Sequence, residues 1–288
     1  MTGREQTVSA PPRPTRPTTP QRTRRRRRGT ALTWVYAGIT VVVGVLVLLL
    51  AELSAHHEWI DTVIVPAPTS VWTALVNGFS TGLYWAQIGS TVEAAVIGFA
   101  ISSAGAVLIA AVMSTFDPVR RIFFPYVIAF QTVPIIAVAP IVILWLGFGQ
   151  PGKIAVVVVV VFFPVLINAL HGFELRDRDA LRLFESLGAS RMQLFLRLRL
   201  PGALPFLFAG LRIGLQFSLI GAVVAEFLGS QNGLGFVLMT QKAAFDVPGE
   251  FAVLVILMII GLALNGLLGL IERVAMPWSA RLRAGDRE

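Results

Sequence analysis

The chain has 288 residues, 55% of them hydrophobic and only 14% charged, with a mean hydropathy of +0.75. A water-soluble domain carries about 25% charged residues, so this composition excludes a soluble protein and places the chain in a lipid bilayer. The absence of cysteine excludes disulfides, thiolate chemistry and Cys-based metal sites, and the net charge of +8 belongs to one end of the chain.

That end is residues 1–30, an expected cytoplasmic tail. It holds Arg4, Arg13, Arg16, Arg22 and the run Arg24–Arg28 against a single acid, Glu5, while the remaining residues balance to neutrality. Five prolines between Pro11 and Pro20 exclude a regular element there, and the tail is predicted to be disordered. A charge confined to such a tail anchors topology on an anionic membrane face and gives no reason to expect nucleic acid.

A membrane helix needs roughly 20 apolar residues. Six stretches qualify, at about 31–51, 88–113, 122–148, 154–171, 203–228 and 251–273. The first is too long for the apolar core of a cleaved signal peptide and reads as a retained anchor. An extracytoplasmic segment, 52–87, follows it, then a core of five spans over 88–273 and a cytoplasmic tail over 274–288. The third stretch carries Pro125, Pro134 and Pro140, which a membrane helix tolerates where neighbours satisfy the freed carbonyls. The expectation is an all-α, polytopic membrane protein with six transmembrane helices.

Basic residues beside the spans orient them. With both termini cytoplasmic, Arg120, Arg121, six arginines of the 172–202 loop and four of the C-terminal tail lie inside. Only Lys153 and Lys242 fall outside.

Between the third and fourth spans, Gly147-Phe148-Gly149-Gln150-Pro151-Gly152-Lys153 fits the spacing of a phosphate loop. Such a loop needs Ser or Thr next and a strand–helix context in water. Here Ile154 follows, between two spans, so a Gly/Pro turn is expected and no nucleotide site. His56, His57 and His171 lack metal-ligand spacing, so no metal is expected. No catalytic constellation is visible and no cofactor is implied.

The 172–202 loop carries the strongest functional signal. Leu181–Leu187 reads as a short helix, Gly188 breaks it, and Ala189–Leu200 reads as a second helix with Ser190 as its cap. Pro201 and Pro205 then mark entry to the fifth span. A helix–glycine–helix at the membrane surface is a knob suited to a partner's groove.

Glu185-Ser186-Leu187-Gly188-Ala189-Ser190-Arg191, followed by Leu200-Pro201-Gly202-Ala203-Leu204-Pro205, resembles the coupling loop of importer-type ABC transporter permeases. Pro66–Trp72, Gln131–Pro134, Trp145–Gly149, Gly210–Ile213 and Val224–Gly235 are similar to the nitrate/sulfonate/taurine branch. The resemblance covers roughly 60–278. It departs at Arg182, where the family pattern places Glu, and at Glu93, where Arg is common. It implies a type I ABC importer permease fold, a second permease copy as homodimer, two ATPase subunits on the coupling loops and an extracytoplasmic solute-binding protein. The implied cargo is a small anion, namely a sulfonate, taurine or nitrate; a thiamine pyrimidine precursor or similar ring is the alternative.

The expected ATPase-coupling residues are Arg182, Glu185, Ser186, Leu187, Gly188, Ala189, Ser190 and Arg191. Polar groups in a span are costly and mark a cavity or a partner, which makes Gln131, Asn168, Gln216 and Glu226 the candidates for the translocation pathway. Arg212 is expected to snorkel to headgroups. A secondary transporter is the rival class, but no inverted repeat is visible and the knob would be unexplained.

Overall fold

The computed structural model describes residues 28–57, 61, 64–174 and 178–277. In chain order its helices are α1 (Arg28–His56), α2 (Pro68–Ser80), α3 (Leu83–Thr115), α4 (Asp117–Gln131), α5 (Ile135–Leu146), α6 (Gln150–Glu174), α7 (Arg178–Ser186), α8 (Arg191–Leu194), a π turn (Phe195–Arg199), α9 (Leu200–Phe227), α10 (Leu234–Ala243) and α11 (Val247–Ala275). No strand occurs among the described residues. Most of the expected tail, 1–27, and the last eleven positions lie outside the described residues.

Among the described residues, five helices are long and apolar enough to span a bilayer: α1, α3, α6, α9 and α11. Each starts a few residues before its predicted bound, and all but α9, which ends at Phe227, also run past the other. The expected third span is different, for it breaks into α4 and α5, bent by 101°. The cause is local. Pro134 offers no N–H and sits at the head of α5 with extended angles, φ −63° and ψ 122°. Just before it, α4 tightens to close: the Thr132 N–H donates to the Ala129 carbonyl (3.2 Å) and the Val133 N–H to the Phe130 carbonyl (3.2 Å), with the Thr132 hydroxyl also donating to Ala129 (2.7 Å). Counting the bent pair as one crossing gives six.

The chain divides into two compact units, Met1–Leu50 and Ala51–Glu288. The first contributes most of α1, uncharged from Thr30 to Leu50. In the second, α6 is the central helix, packed between α3 and α9. Its valines form the core: Val157, Val161 and Val165 are fully buried, followed by Leu166, Ala169, Leu170 and Phe173. Lipid tails are as apolar as valine, so close approach of backbones must hold such helices together. Glycines provide it. Gly98 of α3 faces Val157, while Gly210, Gly214 and Gly221 of α9 face Asn168, Val165 and Val160 of α6.

A smaller cluster of Tyr84, Leu234, Val237, Ala252, Val253 and Ile256 joins α10 and α11 to the start of α3 and to α2. The predicted extracytoplasmic segment 52–87 thus contains a helix, α2. Glu52 holds its start by accepting from the Thr69 N–H (3.2 Å) and hydroxyl (2.8 Å). Large apolar side chains elsewhere point outward: Leu144 is 77% exposed and Leu108 67%. In water such a surface would aggregate; in hydrocarbon it is ordinary.

Candidate functional site

The helix–glycine–helix of the loop is present. Helix α7 ends at Ser186; Gly188, two residues on, has a left-handed φ of 71°, and the Ala189 N–H reaches back to the carbonyl of Phe184 (3.0 Å), a Schellman closure. Ser190 then starts α8 through a reciprocal capping box. Its hydroxyl accepts from the Gln193 N–H (3.3 Å), and the Gln193 side chain accepts from the Ser190 N–H (2.9 Å). Two adjacent caps fix the bend between α7 and α8. Leu183, Leu187 and Met192 are 58%, 75% and 66% exposed on this knob. Arg182 and Ser186 are exposed beside them and Ala189 is half-buried. The side chains of Glu185 and Arg191 lie outside what is described.

The predicted separation between the loop's second helix and the fifth span is absent. Helix α8, the π turn and α9 are continuous, and Met192–Phe227 is a single run of 36 residues. Pro201 explains the π turn. It cannot donate to the carbonyl four residues back, and the chain widens so that the Leu200 N–H bonds Phe195 instead.

Two contacts fasten this end of the bundle. Arg120 of α4 grips Glu174 at the end of α6 with Nε at 2.7 Å and Nη2 at 2.9 Å, its guanidinium also over the Phe124 ring. Arg199 of the π turn donates to the carbonyl of Ser114 on α3 (3.2 Å). Both arginines count only as topology markers in the sequence, because their partners are remote.

The four pathway candidates occupy unlike positions. Gln131 ends α4 and is exposed; Gln216 is exposed on α9. Asn168 donates to the carbonyl of Pro164 on its own helix (2.8 Å) and packs against Gly210. Glu226 is 1% exposed. Among the described residues, no hydrogen bond joins any two of them. Arg212, expected to snorkel, pairs with Glu272 of α11, and Glu93 stands exposed on α3.

Glu226 lies at the end of α9 farthest from the loop, inside a closed polar network. Its carboxylate accepts from the Thr91 hydroxyl (2.9 Å) and the Gly235 N–H (2.8 Å), with the Lys153 ammonium at 3.4 Å. Lys153 Nζ also donates to Ser90 Oγ (2.7 Å) and to the carbonyl of Asn232 (3.0 Å). The Leu234 N–H donates to Thr91 Oγ1 (2.8 Å) and the Gly233 N–H to Gln87 Oε1 (2.6 Å). The first N–H groups of α10 are therefore capped by side chains from α3 and α9 and not by its own sequence. Gly233 and Gly235 are required there, since a Cβ on either would overlap the Glu226 side chain.

Lys153 corrects the sequence reading, which places it outside among accessible bases: it is 3% exposed. The phosphate-loop spacing has a structural cause as well. Gly147 caps α5 with φ 86°, Gly152 takes the Gly147 carbonyl against its Cα, and the lysine serves the buried carboxylate.

A sequence profile of the binding-protein-dependent transport system inner membrane component family matches residues 102–275. The formylaminopyrimidine transport permease protein of Halalkalibacterium halodurans is 34% identical over 215 residues, covering 75% of this chain and 86% of that one. The riboflavin transport system permease protein of Chloroflexus aurantiacus is 34% identical over 217 residues, 75% and 81% of the two chains. The taurine transport system permease protein of Escherichia coli is 27% identical over 252 residues, 85% and 92%. Among solved structures, an inward-facing methionine ABC transporter chain superposes with a TM-score of 0.52 at 20% identity, over 66% of this chain and 93% of that one. That likeness concerns the fold.

Proposed function

Because the chain belongs to the family of binding-protein-dependent transport system inner membrane components, we propose that it is the pathway-forming permease subunit of an ATP-driven importer for a small solute. The observation that carries this is the knob around Gly188. It is a doubly capped bend that leaves three large apolar side chains uncovered; on the aqueous side of the membrane, where this reading puts the loop, such a surface costs free energy unless a partner covers it. Two ATPase subunits would each grip one knob, a second copy of the chain would complete the pathway, and a solute-binding protein would deliver cargo to the opposite face.

Orientation follows the same logic. Arg120, Arg182, Arg197 and Arg199 gather at the knob end, and with Lys153 buried the far end keeps Lys242 as its exposed base. The knob and both termini therefore belong to the cytoplasmic side. Hydrolysis of ATP belongs to the partner, because the one phosphate-loop spacing in the chain is a helix link.

For the cargo, the relatives named for a formylaminopyrimidine and for riboflavin favour a small nitrogen heterocycle. So do the charges: Lys153 and Arg212 are each matched by a carboxylate, which leaves neither to attract an anion. A sulfonate or taurine is the second reading, supported by the longer span shared with the taurine permease relative. The test is uptake into vesicles holding the transporter together with the binding protein that co-purifies with it. Inhibition by riboflavin or an aminopyrimidine, with none by taurine or methanesulfonate, supports the first reading. The reverse pattern overturns it in favour of the second.

A further inference from the structure

The helix that begins in the knob is the same helix that ends in the buried polar network. Ser190 caps its first turn and Glu226 sits next to its last residue. Between them the run of 36 residues spans about 54 Å at 1.5 Å per residue, and the π turn shifts its hydrogen bonding around Pro201 without ending the helix. One element thus reaches from the proposed ATPase contact across the whole membrane.

At its far end this rod does not simply stop. The Glu226 carboxylate holds the Gly235 N–H, so the rod's last turn grips the first turn of α10. Thr91 sits between them, donating to Glu226 and accepting from the Leu234 N–H. Gln87 takes the Gly233 N–H, and Lys153 spans Glu226 and the carbonyl of Asn232. Thr91, Glu226 and Lys153 are buried here, at 0%, 1% and 3% exposure, where hydrogen bonds resist rearrangement. By contrast, α10 has no side-chain cap of its own.

We infer that Glu226 and Thr91 are positioning residues that fasten α10 to the end of α9, so that α10 moves with α9 when the knob is displaced. The mechanical consequence is specific. A shift or tilt of the rod at the ATPase end must carry α10 with it, because the junction is capped from the rod itself. Lys242, exposed in the last turn of α10, reports that movement. This inference rests on the reading of the loop around Gly188 as the ATPase contact.

The chain has no native cysteine, so Lys242→Cys gives a unique label on this chain. In vesicles containing the full transporter, the labelling rate of Cys at 242 by an impermeant maleimide is measured without nucleotide and after trapping with ATP and vanadate. The expected change in the parent is at least about fivefold. Thr91→Val keeps the shape and removes the hydroxyl; it should reduce that change to less than about twofold while the ATPase subunit still co-purifies. Thr91→Ser keeps the hydroxyl and should retain the full response. Glu226→Gln should behave like Thr91→Val, and the Thr91 pair decides the matter if Glu226→Gln does not assemble. An unchanged rate in the parent, a full response in Thr91→Val, or identical behaviour of Val and Ser overturns the inference. Loss of the ATPase subunit from Gly188→Arg, read separately, tests the knob itself.

Discussion

The Gly147 carbonyl lies so close to Gly152 that a methyl group on the second residue would overlap it. These two glycines close the link between α5 and α6, which is why the G-x-x-x-x-G-K spacing exists in a protein with no nucleotide loop. Gly152→Ala must push a side chain against a backbone carbonyl and is expected to lower stability by about 1–3 kcal/mol. Thermal unfolding in detergent measures it. The purified chain alone should show no ATP turnover; turnover abolished by Lys153→Ala would refute the assignment.

At Gly188 a Cβ would meet nothing within 4 Å, and its only local obstacle is the φ of 71°. Gly188→Ala should therefore cost about 1–2 kcal/mol and leave insertion intact. In Gly188→Arg the long side chain projects into space that the ATPase subunit would fill. Normal membrane abundance, loss of the co-purified ATPase subunit and at least about tenfold slower uptake are expected. Quantitative co-purification checks this, and full retention of subunit and uptake would remove the loop from the coupling mechanism.

Accessibility separates the two lysines. An impermeant amine reagent applied from outside should label Lys242 and leave Lys153 unmodified until the protein is unfolded, since Lys153 is 3% exposed. Mass spectrometry of the peptides decides it. Rapid labelling of Lys153 in the folded transporter would mean that the polar network is open.

Breaking a buried ion pair from one side strands a charge and costs about 3–5 kcal/mol, whereas replacing both partners is far milder. Lys153→Met is accordingly expected to abolish accumulation, while Lys153→Met with Glu226→Gln should recover a substantial fraction. Membrane abundance by immunoblot is the measurement; a double variant no better than the single would show that the ammonium is not matched to that carboxylate.

Arg120 and Glu174 are partly exposed, with side chains 40% and 26% accessible, so their coupling should be modest, about 1 kcal/mol or less. A double-mutant cycle on thermal stability reads it directly.

These residues show what was legible in the sequence. The spans were, because twenty consecutive apolar residues have few alternatives, and so was the bend at Gly188, because capping chemistry is local. The break at Pro134 was half visible: its missing N–H marks where the helix stops, but does not set the 101° at which α5 leaves. Pairings across the bundle were out of reach. Arg212 finds Glu272 and Lys153 finds Glu226 only once α6, α9 and α11 have packed, and packing here is written in glycines such as Gly210 and Gly214 that resemble any others in a membrane helix.

The distance in sequence between Lys153 and Glu226 also sets an order of events during synthesis. Helix α6 leaves the ribosome well before α9, so the lysine enters the membrane with its partner not yet made. Both charges lie at helix ends, Lys153 in the first turn of α6 and Glu226 in the last of α9, where each can stay hydrated among headgroups at little cost. They are dried only when the two helices close on each other. A newborn chain in which α9 has failed to seat therefore displays a wet lysine and a wet glutamate at the membrane surface.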